Sequence, residues 1–245
     1  MYKGVNSAID MKFFLSFSIV VISVLVGGCA AGDEKFSIFS SVYDFSTDTY
    51  GWSGDFADYK AQDSLKSDLR FGFSNRPANI SNFDDQKSIM LSGNNQTKSL
   101  FMFLKKKVDG LIPNKEYTVV FEVEFATNVA TLSSEDSIYL KVGATQQEPK
   151  KVIQSDYCRV NIDKGNAADD SGRDMTVIGS IGTSVEYTND YTLVKKSNFS
   201  SAKKVIAVHA NDNGEVWLVV GTDSTYQGTT SIFYTSINIV FSTSN

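Results

Sequence analysis

Tyr117-Thr118-Val119-Val120-Phe121-Glu122-Val123-Glu124-Phe125 is apolar or aromatic at every odd position and carries Thr118, Glu122 and Glu124 at even ones. Successive side chains of a strand point to opposite faces, so this stretch is a β-strand with one face on a core and the other toward water. Ile138-Tyr139-Leu140-Lys141-Val142 repeats the alternation. So does the closing run, where Phe233, Thr235, Ile237, Ile239 and Phe241 are read as the inward set, with Ser236 and Asn238 between them. Shorter runs of the same kind lie at 69–73, 88–91, 100–104, 152–161, 175–181, 191–194, 205–209 and 215–220.

Turn chemistry separates these runs. Asn211-Asp212-Asn213-Gly214 reads as a hairpin turn, because Asn-Gly supplies the positive φ that tight turns need. Lys105-Lys106-Lys107 reads as the charged end of a strand. No segment keeps a 3.6-residue period with caps, so the expected helices are few and short. The expectation is an all-β chain forming a single antiparallel β-sandwich of jelly-roll type.

The 245 residues are 42% hydrophobic and 21% charged, enough for a full core. The net charge is −5, with no basic patch interleaved with aromatics, which argues against a nucleic-acid partner. One histidine and two cysteines leave little for a zinc site. No phosphate loop, dinucleotide fingerprint or Gly-x-Ser-x-Gly elbow occurs.

Met11-Lys12 begins a short basic start, residues 13–26 are an almost wholly apolar run, and Gly27-Gly28-Cys29 follows. This is the pattern of a secretory signal, and the run is short for a membrane span. Either Met1 or Met11 serves as its start. Val26-Gly27-Gly28-Cys29 resembles the bacterial lipobox, in which the cysteine is acylated and becomes the new N-terminus. The resemblance implies a signal peptide over 1–28, lipid attachment (palmitate among the acyl groups) at Cys29, a tether over 29–35 and a β-sandwich domain over 36–245. It also implies a protein of the bacterial cell envelope, held to a membrane and facing the periplasm or the exterior. Cys158 is then left without an intrachain partner, so no disulfide is expected.

Asp44-Phe45 followed by Gly51-Trp52, the stretch from Gly110 to Thr118 and the run from Thr230 to Ile237 resemble carbohydrate-binding jelly rolls of the galactose-binding-like type. Gly51 to Tyr59, Ser92 to Asn95, Asn161 to Asn166 and Val220 to Ser224 are similar to an uncharacterised family of exported bacterial proteins. The first resemblance implies a module that binds a glycan or another extracytoplasmic polymer.

Glu122, Glu124, Tyr139 and Lys141 are the candidate ligand face, with Trp52, Tyr59 and Trp217 as further aromatic candidates and the two tryptophans favoured as core. Glu122 and Glu124 also permit a glycoside hydrolase or lyase, since paired carboxylates supply acid and base. A structural or assembly protein of the envelope is the third reading. No cofactor is required. Calcium is the possible exception, because Asn161, Asp163, Asn166, Asp169, Asp170 and Asp174 form an oxygen-rich loop that also suits an ordinary turn.

Overall fold

The computed structural model describes residues 37–81, 86–131, 136–184, 190–199 and 205–243. The signal, Cys29 and the tether lie outside these residues.

In chain order the strands are β1 (Ile38–Asp44), β2 (Ser53–Ala57), β3 (Tyr59–Lys60), β4 (Arg70–Asn75), β5 (Lys87–Asn95), β6 (Phe101–Val108), β7 (Glu116–Thr127) and β8 (Ile138–Thr145). They continue as β9 (Lys151–Gln154), β10 (Tyr157–Val160), β11 (Met175–Ser180), β12 (Thr192–Ser197), β13 (Ile206–His209), β14 (Val216–Ser224) and β15 (Gly228–Thr243). Among the described residues the helical elements are two single turns, Ala61–Asp63 and Ala78–Ile80.

The larger sheet runs β12-β7-β15-β5-β4, with β13 also on β7 and β1 also on β15. The smaller sheet runs β11-β8-β14-β6-β2, and a short third sheet runs β3-β10-β9. All pairings between the named strands are antiparallel. The chain is an all-β jelly-roll sandwich, as the alternation predicts.

The main core joins Phe121, Val123, Phe125, Ile237 and Ile239 of the larger sheet to Leu104, Leu140, Val142, Leu218 and Val220 of the smaller. A second apolar cluster, Ala57, Phe101, Phe103, Ile162, Met175 and Val219, lies on the other face of the smaller sheet. The chain from 161 to 174 covers that face, approaching β8 so closely that a Cβ on Gly143 would stand 2.1 Å from the carbonyl oxygen of Asp174. The smaller sheet is therefore covered over part of its outward face as well, and much of the larger sheet's outward face is left to solvent.

Three sequence expectations change. The run at 152–161 is a hairpin of β9 and β10, turned at Ser155 with φ of +58°. Lys105 to Lys107 close a strand as read, standing just before Val108 at the end of β6, all three registered on β14 and Lys105 alone also on β2, with Lys105 paired to Glu148 and Lys107 to Glu215. The Asn211–Gly214 turn joins β13 of the larger sheet to β14 of the smaller, so it changes sheets instead of closing a hairpin. Gly214 is required there, with φ of +71° and the Leu111 carbonyl oxygen 2.1 Å from where a Cβ would be.

The third change is in β15. Its register on β7 shifts between Tyr234 and Ser236, leaving Thr235 as the extra residue. A bulge of this kind reverses the alternation beyond it, so Phe233 faces outward and Tyr234 faces the core, opposite to the reading from sequence.

Candidate functional site

The outward face of the larger sheet can be mapped row by row from the strand registers. One row sets Asp44, Ser236, Glu124 and Lys195 side by side on β1, β15, β7 and β12. The next sets Val42, Asn238, Glu122 and Ser197 side by side. Strands lie about 4.8 Å apart, so this band spans roughly 14 Å across the sheet. Apolar residues border it on both sides: Met90, Phe233, Ala126 and Leu193 on one, and Val240 and Val120 on the other, where Ser40 of β1 completes the row.

Within the band the polar groups are tied to one another. Asn238 Nδ2 donates to Glu122 Oε1 at 3.1 Å, and Lys195 Nζ lies 3.2 Å from the same oxygen. Thr235 Oγ1, turned outward by the bulge, donates to Glu124 Oε1 at 2.8 Å. Arg76 approaches Asp44 Oδ1 at 3.5 Å. Glu122 stays 41% exposed, so its second oxygen can meet a ligand.

A strap crosses one end of this face. Asn79, in the connection after β4, donates from Nδ2 to the Tyr191 carbonyl at 2.7 Å and accepts from the Tyr191 N–H at 3.2 Å. Tyr191 precedes β12 at the opposite edge of the sheet, so the two segments meet over the strands between. The Tyr191 ring stands edge-on to Phe233, 5.1 Å between centroids.

The four residues grouped from sequence as one ligand face do not share one. Glu122 and Glu124 belong to the outward band, whereas Tyr139 and Lys141 lie on β8 of the opposite sheet. Both pairs obey the alternation, but which sheet a strand joins is decided by pairing between distant segments. Tyr139 is half-buried, and the Lys141 side chain is 0% exposed beneath the 161–174 chain. Trp52 and Tyr59 are buried in the core. Trp217, read as core, is half-buried on the outward side of β14, with Lys105 Nζ 5.9 Å from its ring centroid. Cys158 is a buried free thiol.

The oxygen-rich loop turns its side chains to its own backbone. Asp163 accepts from Gly165 N and Arg173 N, Asp174 from Asp163 N, and Asp170 from Asn166 N. Asn161 accepts from Lys150 N and donates to Glu148 O, and Asp169 is exposed. Among the described residues no three His, Cys, Asp or Glu side chains converge as a metal site requires. The loop instead encloses cations of the chain itself. Lys141 and Lys164 meet Asp223 at 2.8 and 2.5 Å, and Lys164 meets Asp58 at 3.1 Å.

Asp44, Arg76, Tyr191, Phe233, Asn238, Asp58, Lys164 and Asp223 went unread as functional positions. Only Asp223 left a local signal, an acid closing the apolar run from Val216 to Val220.

No protein-family model matches the sequence, and no curated protein matches it. Solved structures do. The xylan-binding CBM22-1 domain of Xyn10C from Paenibacillus barcinonensis is 9% identical, with a TM-score of 0.35, covering 82% of this chain and 92% of that domain. TmCBM27, a carbohydrate-binding module for mannan, is 9% identical with a TM-score of 0.37, covering 84% and 98%. The enzymatically active domain of tailspike protein 4 from bacteriophage CBA120 is 11% identical with a TM-score of 0.33, over 77% of this chain. This chain spans only 19% of that domain's length. The similarity is one of fold.

Proposed function

We propose that this chain is an exported, lipid-anchored protein of the bacterial cell envelope whose larger sheet binds a glycan or a similar extracytoplasmic polymer on its outward face. The observation that carries the binding reading is the polar band of Asp44, Glu124, Glu122, Asn238 and Lys195 set between apolar residues, with the Phe233 and Tyr191 rings at one border. A pyranose presents hydroxyls at its rim and C–H groups on its faces, so it needs acceptors and donors next to an aromatic surface. The apolar run and Cys29 support export and anchoring.

Glycan-array binding of the purified protein tests the reading. Glu122→Gln weakens binding by roughly tenfold, the lower end of a lost charge-assisted hydrogen bond. Phe233→Ala weakens it as well, and Tyr139→Ala on the opposite sheet leaves it unchanged. Sensitivity to Tyr139 without sensitivity to Glu122, or the absence of binding to any glycan, would overturn the proposal. Reducing-sugar release that is lost in Glu122→Gln would replace it with the hydrolase reading.

A further inference from the structure

Lys141, Asp223, Lys164 and Asp58 form a buried cluster that the outward band does not use. Their side chains are 0%, 4%, 11% and 7% exposed in that order. The stacked rings of Phe101 and Phe103, 5.0 Å between centroids, wall the site, with Lys164 Nζ 5.4 Å from the Phe101 centroid. Lys141 lies on β8 and Asp223 on the adjacent β14, where Lys141 pairs with Gly221 and Asp223 with Tyr139.

The Lys141 nitrogen has three donors and three acceptors, the carbonyls of Lys164 at 2.8 Å and Ala167 at 2.9 Å and Asp223 Oδ2 at 2.8 Å. Once the proton shared with Asp223 passes to that carboxylate, the two carbonyls retain the two remaining N–H groups. The nitrogen lone pair then faces Oδ2–H, and a rotation of the carboxyl group that releases this hydrogen bond brings the lone pair over Cγ. Burial disfavours the charged form of Lys141 and so loosens its hold on the proton that faces Asp223.

We propose that Lys141 and Asp223 condense to an intramolecular amide that covalently joins β8 to β14. The Lys141 nitrogen attacks Cγ of Asp223. Oδ2, protonated by Lys141, takes a second proton from the Lys164 ammonium and leaves as water, while Oδ1 remains as the amide oxygen. The new N–Cγ bond replaces the Cγ–Oδ2 bond, and the surplus proton on nitrogen restores Lys164. One water is released, and one buried positive and one buried negative charge disappear. Asp58, 3.1 Å from Lys164 Nζ, positions that ammonium against Oδ2.

The proton affinities suit these roles. Burial pulls the Lys141 ammonium below its ordinary value despite Asp223, as a nucleophilic amine needs. Burial also pulls on Lys164, but Asp223 and Asp58 together hold it above its ordinary value, as a proton donor kept charged needs. Burial raises Asp58, with Lys164 opposing it.

Peptide mapping of the full-length protein by tandem mass spectrometry decides the matter. The expected result is one joined species containing Lys141 and Asp223, lighter by one water than its two peptides together. Lys141→Arg gives the two peptides separately. Lys164→Gln, with its fold verified by circular dichroism, lowers the joined fraction at least tenfold. Recovery of both wild-type peptides with free side chains would overturn the proposal, as would a join through Lys164.

Discussion

Tyr234 is fully buried, and its hydroxyl has no hydrogen-bond partner among the described residues. Burial pushes the phenol far above its ordinary ionisation range. A hydroxyl withdrawn from water without a partner costs about 1–3 kcal/mol, whereas the ring it sits on contributes to the core. Tyr234→Phe keeps the ring and removes the penalty, so it should raise stability by about 1 kcal/mol, or roughly 2–4 °C in melting temperature for a chain of this size. Thermal melts of the two proteins check this, and a lower melting temperature in Tyr234→Phe would show that the hydroxyl has a partner. Strict alternation places Tyr234 outward with Ser236 and Asn238, and one bulged residue is enough to bury it. Residue identity alone does not disclose such a bulge, since Thr235 suits a regular strand as well as a bulged one.

At the scale of elements, the open edge of β7 is shared by β12 and β13, and Asn198 joins them. Its Oδ1 accepts from the Phe121 N–H at 2.6 Å and its Nδ2 donates to the Val119 carbonyl at 3.0 Å, so the side chain continues the ladder where neither strand reaches. Asn198→Ala strands one buried donor and one buried acceptor of β7. The expected loss is about 2–4 kcal/mol, seen as a lower urea midpoint with an unchanged slope. A midpoint equal to wild type would mean that water replaces the side chain. The strands themselves were legible in the alternation of β7 and β8. The role of Asn198 was not, because it arises from where β12 stops and β13 starts along a partner more than seventy residues away. The same reason explains the Asn211–Gly214 turn, whose chemistry specifies a tight reversal but not the sheet that the next strand joins.

At the scale of the whole molecule, β1 is the first strand after the tether, and its register on β15 contributes Asp44 and Val42 to the outward band. The proposed lipid at Cys29 would then hold the band within a few tens of ångströms of a membrane, since seven tether residues span at most about 25 Å. Cys29→Ser should abolish acylation and release the protein from membranes to the soluble fraction. Fractionation and N-terminal mass spectrometry check this, and an unmodified Cys29 in the wild type would defeat it. The alternation along the chain already carried the all-β class, the inward faces of β7 and β8, the scarcity of helix and the placement of Glu122 and Glu124 on an outward face. These follow from periodicity two, a local property of the chain. The tertiary structure alone decided that Tyr139 and Lys141 belong to the opposite sheet, that the 161–174 loop encloses lysines, and that Lys141 meets Asp223 from 82 residues away. Those outcomes depend on strand order and register between distant segments. They are set by the joint burial of two sheets and by the pairing of charges trapped between them, and no local pattern of residues encodes them.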